Sequence, residues 1–177
     1  MVSWKKSWHL PVVRWCFVCL LPGLLAAFVS GCDSAVSWTQ ERQERRLQQL
    51  EAAETIRVDE LLGSFDGEIC VLSPYALAVS PSGYQAQRIN AYLKERGIVL
   101  MEHEWGLVVT ERNEVRIAKF KRSASLDLLP AGVALANQVV DVRPDFEPQD
   151  CLPLKGAVML KVEFRDRGYV VLGRMKP

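Results

Sequence analysis

Cysteine and histidine are the side chains of this sequence best suited to nucleophilic or redox chemistry. The chain of 177 residues has five cysteines and two histidines. Cys70 and Cys151 lie in its polar part, where His103 is the only histidine. A cysteine nucleophile assisted by His103 is one interpretation, and two buried free thiols are another. No cysteine-protease signature surrounds Cys70. We therefore favour a disulfide between Cys70 and Cys151, which requires export to an oxidising compartment.

Other groups capable of chemistry lack a suitable context. Glu102-His103-Glu104 places a histidine between two carboxylates, but adjacent residues on an extended segment point to opposite faces and do not all converge on an ion. The sequence has no phosphate-binding glycine loop, zinc-ligand spacing or nucleophile elbow. Three serines therefore lack a catalytic context: Ser73, Ser80 and Ser82. We assign no catalytic residue, no metal ligand and no cofactor.

An aromatic residue and a basic cluster are most simply interpreted as structural features. Trp105 is expected in the core or on a sheet face. Lys119, Lys121 and Arg122 form a small basic cluster, which we interpret as a solvated edge that discourages strand pairing. Attraction of this cluster to anionic lipid is the alternative.

The N-terminus has the order of segments that directs export. Lys5, Lys6 and Arg14 precede an uncharged apolar run from Trp15 to Phe28. Small residues follow this run, and the whole arrangement is that of a secretory signal. A membrane-spanning helix would need about 20 apolar residues, whereas Pro22-Gly23 interrupts this run and Asp33 closes it. Ordinary secretion, with Ala26 and Ala27 as the small residues at the cleavage site, is a further alternative.

The segment Val29-Ser30-Gly31-Cys32 resembles the lipobox of bacterial lipoprotein precursors. The resemblance covers about the first 33 residues, and the rest of the chain resembles no family. It implies that the Cys32 thiol carries lipid, palmitate included, and that the chain is cut before this residue. In the lipoproteins of enteric bacteria, an aspartate at the place of Asp33 resembles a signal for retention in the inner membrane. The resemblance thus implies a lipid-anchored protein on the periplasmic face of the inner membrane.

Composition fits one domain after such cleavage. Removing residues 1–31 from the 177 leaves 146 residues, enough for one hydrophobic core. The removed segment holds three of the 22 basic residues and none of the 21 acidic ones, so the remainder has a formal charge of −2. Nucleic acid is not an expected partner, because such proteins concentrate basic charge.

Three segments follow from the patterning: a signal peptide at 1–31, a lipidated tether and helical spacer at 32–63, and a globular domain at 64–177. The stretch from Trp38 to Ala53 favours a helix that is polar on nearly all sides, which is typical of a solvated spacer. Binding of an envelope protein by this helix is the alternative. The residues from Thr55 to Gly63 read as a further helical turn.

The globular part predicts an α+β domain with a small antiparallel sheet and one or two packed helices. We expect a strand near 68–72, a helix from about Pro81 to Arg96 that stops at Gly97, and strands near 126–128 and 138–142. The residues 141–153 read as a surface loop. Two hairpins are expected on three-residue loops, with these cross-strand pairs: Val109 with Val115, Leu107 with Ile117, Phe164 with Val170, and Val162 with Leu172. In the first, Asn113 would be left-handed.

Taken together, these features predict a lipid-anchored envelope protein that acts as a binding or scaffolding module at the membrane face. The alternative is a small envelope enzyme of unknown chemistry.

Overall fold

Two packed β-sheets and four short helices build the part of the protein that the structure describes. The computed structural model describes residues 40–64, 66–112 and 114–177. In chain order the elements are α1 (40–48), β1 (Thr55–Arg57), α2 (Val58–Leu62), β2 (Glu68–Leu72), α3 (Ala86–Arg96), β3 (Glu104–Glu111), β4 (Glu114–Lys121), β5 (Asp127–Leu128), α4 (Ala131–Ala136), β6 (Phe146–Pro148), β7 (Cys151–Pro153), β8 (Ala157–Phe164) and β9 (Arg167–Met175). The predicted α+β class is confirmed.

The strands divide between two separate sheets. One sheet has the order β1-β8-β9-β5, with β6 also pairing with β9. The other has the order β4-β3-β2-β7. All pairs are antiparallel except the short parallel pair of β5 with β9. The sequence predicted an antiparallel sheet but not its division into two.

Three apolar clusters define the layers. The first lies between the sheets, where Trp105 and Leu107 of β3 join Met159 of β8 and Leu172 of β9. The second lies between the four-stranded sheet and α3, and the third lies between the five-stranded sheet and the segment around α4. Both sheets are therefore covered on both faces, and α3 and α4 belong to opposite outer layers.

Helix α1 packs on the domain rather than standing in solvent as a spacer. Leu47 is 0% exposed and belongs to the cluster between the sheets, and Leu50 packs against the same cluster. Gln43 donates a hydrogen bond to the Leu61 carbonyl of α2. The residues from Gln40 to Pro177 form one compact unit, so the expected boundary at residue 64 does not separate a spacer from a domain. Leu47 in this polar helix and Leu50 just after it dock the segment on the domain.

Helix α3 begins later than expected and ends where expected. The residues 81–85 form turns, and the helix covers Ala86–Arg96. Ile89 and Leu93 face the second cluster. Gly97 adopts φ 60°, the left-handed conformation that ends many helices, and its amide donates to carbonyls of the last turn.

Both hairpins exist, but the expected registers are wrong. Val109 lies opposite Arg116 and Leu107 opposite Ala118. In the second hairpin, Phe164 lies opposite Arg167, and Val162 opposite Tyr169. The expected registers assumed that each hairpin has one apolar face. The first register differs from the expected one by one residue and the second by three. Because both faces are covered, the apolar pattern alone does not determine the register.

The second hairpin has a tighter loop than expected. Its turn consists of Arg165 and Asp166, with φ 51° and 59°. Two left-handed residues are typical of a two-residue type I′ turn. In the first hairpin Arg112 has φ 47°, and the expected conformation of Asn113 lies outside the described residues.

Three smaller expectations are corrected. The residues from Thr55 to Gly63 form β1 followed by α2, rather than a helical turn alone. The segment 138–142 is turns rather than a strand, because helix α4 follows Pro130 and its last turn continues through Asn137. The segment 141–153 is not a plain surface loop, since it contains β6 and β7 and buries Phe146 and Leu152. The strand expected near 68–72 and the short strand at 127–128 are present.

Candidate functional site

The predicted lipidation and sorting residues lie outside the described part of the chain. Cys32 and Asp33 precede residue 40, as does Trp38 at the start of the expected helix. The structure describes four places of interest: the disulfide with the buried Glu68 beside it, a buried ionic cluster around Asp127, and two exposed apolar surfaces.

The predicted disulfide between Cys70 and Cys151 is present. The two residues lie directly opposite each other on β2 and β7, with their α-carbons 4.1 Å apart. Cys70 is fully buried and Cys151 is nearly so. The bridge therefore joins the first long strand of the domain to a short edge strand that follows 81 residues later.

A buried carboxylate lies beside this bridge. Glu68 is 1% exposed, and its oxygens accept hydrogen bonds from the backbone amides of Tyr84 and Gln85, at 2.9 Å and 2.8 Å. These amides lie at the start of α3, which no side chain of the helix itself caps. A carboxylate here satisfies free amides and complements the helix dipole. Glu68 therefore fixes the helix to the sheet. The pKa of Tyr84 is raised, mainly by burial and to a smaller extent by the Glu68 charge.

A second buried carboxylate organises an ionic cluster on β5. Asp127 is 1% exposed and accepts two hydrogen bonds of 2.8 Å from Arg122, which follows β4. Arg167, the first residue of β9, donates to Oδ2 of Asp127 at 3.3 Å, an oxygen that Arg122 also contacts. The hydrogen bond to Asp127 raises the pKa of the Arg122 guanidinium. Between β4 and β5 the chain passes from one sheet to the other. The Asp127 cluster therefore connects this segment to the start of β9 in the second hairpin.

Lys161 adds a third cation next to this cluster. It lies on β8, is 5% exposed, and donates a hydrogen bond to the Ser125 carbonyl. Burial lowers the pKa of its ammonium group, and the charge of Glu163 partly opposes the shift. Lys161 and Arg167 thus clamp the loop 123–125 over the hairpin, where Arg167 also donates to the Ser123 carbonyl.

These buried charges were missed at the sequence level, although a signal was present. Asp127 stands inside the apolar run Leu126 to Leu129, and Lys161 inside a strand of apolar residues. Charged residues are rarely buried without a partner. A charge inside an apolar run therefore indicates a paired, buried group, but the partners are far away in the sequence.

The other singled-out residues have ordinary surroundings. His103 is exposed in the turn before β3. In the described part of the chain, no three residues among His, Cys, Asp and Glu are placed to hold a metal ion. Trp105 is fully buried and stacks on Phe120 with ring centres 4.3 Å apart, as expected for a core aromatic. Lys119 and Lys121 are exposed on β4, the edge of its sheet, whereas Arg122 belongs to the Asp127 cluster.

Two exposed apolar surfaces lie in opposite outer layers. We name the first the loop patch; it consists of Tyr75, Leu77, Val99 and Met101, which are all exposed. The Tyr75 amide donates to the Leu100 carbonyl at 2.9 Å, so these two loops lie side by side. The second is the α4 surface, which consists of Val133, Leu135 and Val142. Exposed apolar groups in clusters are typical of binding surfaces.

Fold and site together define a small α+β domain with two facing sheets and one internal disulfide. Comparison with family models, curated proteins and solved structures finds no match. Within the residues that the structure describes, no helix has the length and apolar character needed to cross a bilayer.

Proposed function

We propose that this protein is a lipid-anchored module of the bacterial envelope that binds another envelope protein. The observation that carries the proposal is the buried Cys70–Cys151 bridge in a chain that begins with a lipobox-like signal. Disulfides persist in oxidising compartments such as the periplasm. The bridge and the signal are independent features, and both are typical of the same compartment.

The α4 surface is the binding surface we assign to the partner. Val133 and Leu135 lie on a helix whose buried side holds Ala131 and Ala134, and Leu135 is 56% exposed. Helix α1, the alternative, has its apolar residue Leu47 in the core and offers mainly charged side chains. A partner contacting α1 would therefore meet charge rather than apolar area.

Labelling with a fatty-acid analogue tests the anchor. Cys32→Ser removes the thiol that would accept the lipid, so we expect no label and an unprocessed precursor. Cys16→Ser, in the segment that would be removed, is the matched control and should keep the label. Equal label on wild type and Cys32→Ser would contradict the lipid anchor.

Membrane separation tests the sorting role of Asp33. We expect wild type in the inner-membrane fraction of a density gradient, and Asp33→Ser shifted to the outer-membrane fraction. Wild type in the outer membrane would refute the sorting assignment and leave lipidation intact.

Site-specific crosslinking from the native membrane tests the partner. A photo-crosslinking residue at position 135 should capture a defined envelope protein, whereas the same residue at exposed Lys155 should not. Equal capture from both positions would contradict the binding surface. An enzymatic activity against envelope substrates that is lost in His103→Ala would favour the alternative of a small envelope enzyme.

A further inference from the structure

We propose that the loop patch rests on the lipid bilayer, with its apolar side chains in the headgroup region. This inference depends on the proposed lipid anchor at Cys32. It assigns an orientation to the domain: the loop patch faces the bilayer and the α4 surface faces away from it.

The loop patch has the chemistry of an interfacial contact. Leu77 is 72% exposed and Met101 54% exposed, on loops that a backbone hydrogen bond holds together. The Tyr75 hydroxyl lies 3.5 Å from a carboxylate oxygen of Glu102, so the ring carries its polar end beside a charged group. Amphipathic aromatic residues favour the boundary between water and lipid. Apolar residues in such contacts enter the membrane by about 5–10 Å.

A series of contacts connects the loop patch to the helix through which the anchor joins the domain. Glu44 of α1 accepts a hydrogen bond of 2.8 Å from the Lys121 amide. The next residue, Arg122, donates to the Glu102 carbonyl at 2.8 Å. Glu102 in turn contacts Tyr75. Helix α1 therefore meets the end of β4 close to the turn that carries Met101.

The length of chain before α1 keeps this region near the membrane. Eight steps separate Cys32 from Gln40, and a fully extended chain of that length spans at most about 28 Å. Gln40 lies one helical turn, about 6 Å, before Glu44. A domain on a tether of this length stays near the bilayer, and the contacts through Glu44, Lys121 and Arg122 link the loop patch to α1.

The charges around the loop patch allow contact with both anionic and uncharged lipid headgroups. Lys119 and Lys121 are exposed on β4, while Glu102 and Glu104 lie in and after the neighbouring turn. Long lysine side chains extend their ammonium groups toward the interface. Since the two signs are balanced, apolar contact rather than anionic lipid alone is the expected driving force.

Tryptophan substitution in the anchored protein tests the proposal. Mature lipoprotein is reconstituted into vesicles of phosphatidylcholine and phosphatidylglycerol, with or without bromine on the acyl chains. We expect the added emission of Leu77→Trp to shift to shorter wavelength and to be quenched by the bromine. The matched control, Leu135→Trp, replaces an exposed leucine in the opposite layer and should show neither effect. Trp38 and Trp105 give the same background in both variants.

Each outcome decides the question. Met101→Trp is a second reporter in the loop patch, for use if Leu77→Trp does not match the urea midpoint of wild type. Quenching at 77 or 101 but not at 135 supports the proposal. Equal quenching at both surfaces, quenching at 135 alone, or no quenching in vesicles that carry the protein on flotation would overturn it. Failure of the wild type to float with vesicles would instead contradict the lipid anchor.

Discussion

The carboxylate of Asp127 joins three segments of the chain that are distant in sequence or belong to different elements. Arg122 approaches it from the end of β4 and Arg167 from the start of β9, while Asp127 itself is on β5. The guanidinium groups are partly exposed, but the carboxylate side chain is only 2% exposed. Removing a buried member of an ion pair leaves its partners without compensation, which costs more than the pair contributes.

We expect Asp127→Asn to lower the free energy of unfolding by about 3 kcal/mol. Urea unfolding of the purified domain measures the change. Glu147→Gln is the control, because its pair with Arg174 is exposed on both sides, and exposed pairs contribute at most about 1 kcal/mol. Equal effects of the two substitutions would mean that burial does not strengthen the Asp127 cluster.

Lys161 predicts a dependence of stability on pH. Burial lowers the pKa of its ammonium group in the folded protein from the ordinary 10.5. Between the lowered pKa and 10.5 the unfolded chain binds more protons than the folded one, so stability rises with pH in that window. In Lys161→Met this contribution disappears, and the difference in unfolding free energy between wild type and variant should move in favour of wild type as the pH rises toward 10.5.

Urea titrations at several pH values above neutrality measure this difference. Lys155→Met replaces an exposed lysine and should keep the wild-type dependence on pH. A constant difference between wild type and Lys161→Met across the series would show that Lys161 is not the source.

At the scale of elements, the sequence predicted the existence of most strands and of α3 but not the hairpin registers. Gly97 marks the end of α3 by its own conformational preference, which is a local property. A register depends on which faces are covered, and that is a property of the assembled layers. Val108 faces the second cluster while Leu107 faces the first. Both faces of β3 are therefore apolar, and the sequence does not show which face lies toward which layer.

Two substitutions in the turn of the second hairpin should increase the stability of the domain. Arg165 and Asp166 both adopt left-handed conformations, which cost about 1 kcal/mol or more for ordinary residues. Asparagine and glycine are the preferred pair in a type I′ turn. The double substitution Arg165→Asn with Asp166→Gly should therefore stabilise the domain by about 1 kcal/mol, measured by thermal unfolding.

Lys155→Asn serves as the control, because Lys155 lies in a turn but does not adopt a left-handed conformation. This substitution should change stability little. Destabilisation by the Asn-Gly pair would indicate a longer loop and a different register.

Helix α1 provides the clearest case in which composition alone was misleading. Its charges predicted a solvated spacer, whereas the fully buried Leu47 occupies the space between the sheets. We expect Leu47→Ala to cost about 2–4 kcal/mol, as for other buried leucines. Gln48→Ala, at the exposed neighbouring position, should be close to neutral in the same urea experiment. A neutral Leu47→Ala would mean that α1 does not contribute to the core.

At the scale of the whole molecule, the arrangement of layers could not be predicted from the sequence. The chain passes several times between the sheets: β1 is in the five-stranded sheet, β2 to β4 are in the four-stranded one, β5 and β6 are in the first, β7 is in the second, and β8 and β9 are in the first. Such an arrangement depends on contacts across long sequence distances. The disulfide was predictable because only Cys70 and Cys151 remain once the proposed signal segment and the proposed lipidation residue Cys32 are set aside. Such a count does not depend on the fold.

The bridge should contribute to the stability of the entire domain. Replacing both Cys70 and Cys151 by alanine removes a cross-link over a loop of about 80 residues, for which the chain-entropy model gives about 4 kcal/mol. Urea unfolding of wild type with and without reductant gives the same comparison without mutation. The double variant is its own control, because reductant should not change its midpoint. If reductant also shifted the urea midpoint of the double variant, the loss of stability would not come from the bridge.

The surroundings of Gly83 imply a signature by which distant relatives of this protein could be recognised. A side chain at this position would bring its first carbon to 2.8 Å from a Glu68 oxygen and to 2.9 Å from Cys151. The Glu68 carboxylate and the β-carbon of Cys151 therefore leave no room for a side chain at position 83. We expect homologues that keep the glutamate to keep the glycine as well, in this spacing: a glutamate two positions before the first cysteine, a glycine 13 residues after that cysteine, and the second cysteine 81 residues after the first. Since the contacting atom of Cys151 is its β-carbon, which every residue except glycine has, loss of the cysteines alone does not make room for a larger residue at position 83.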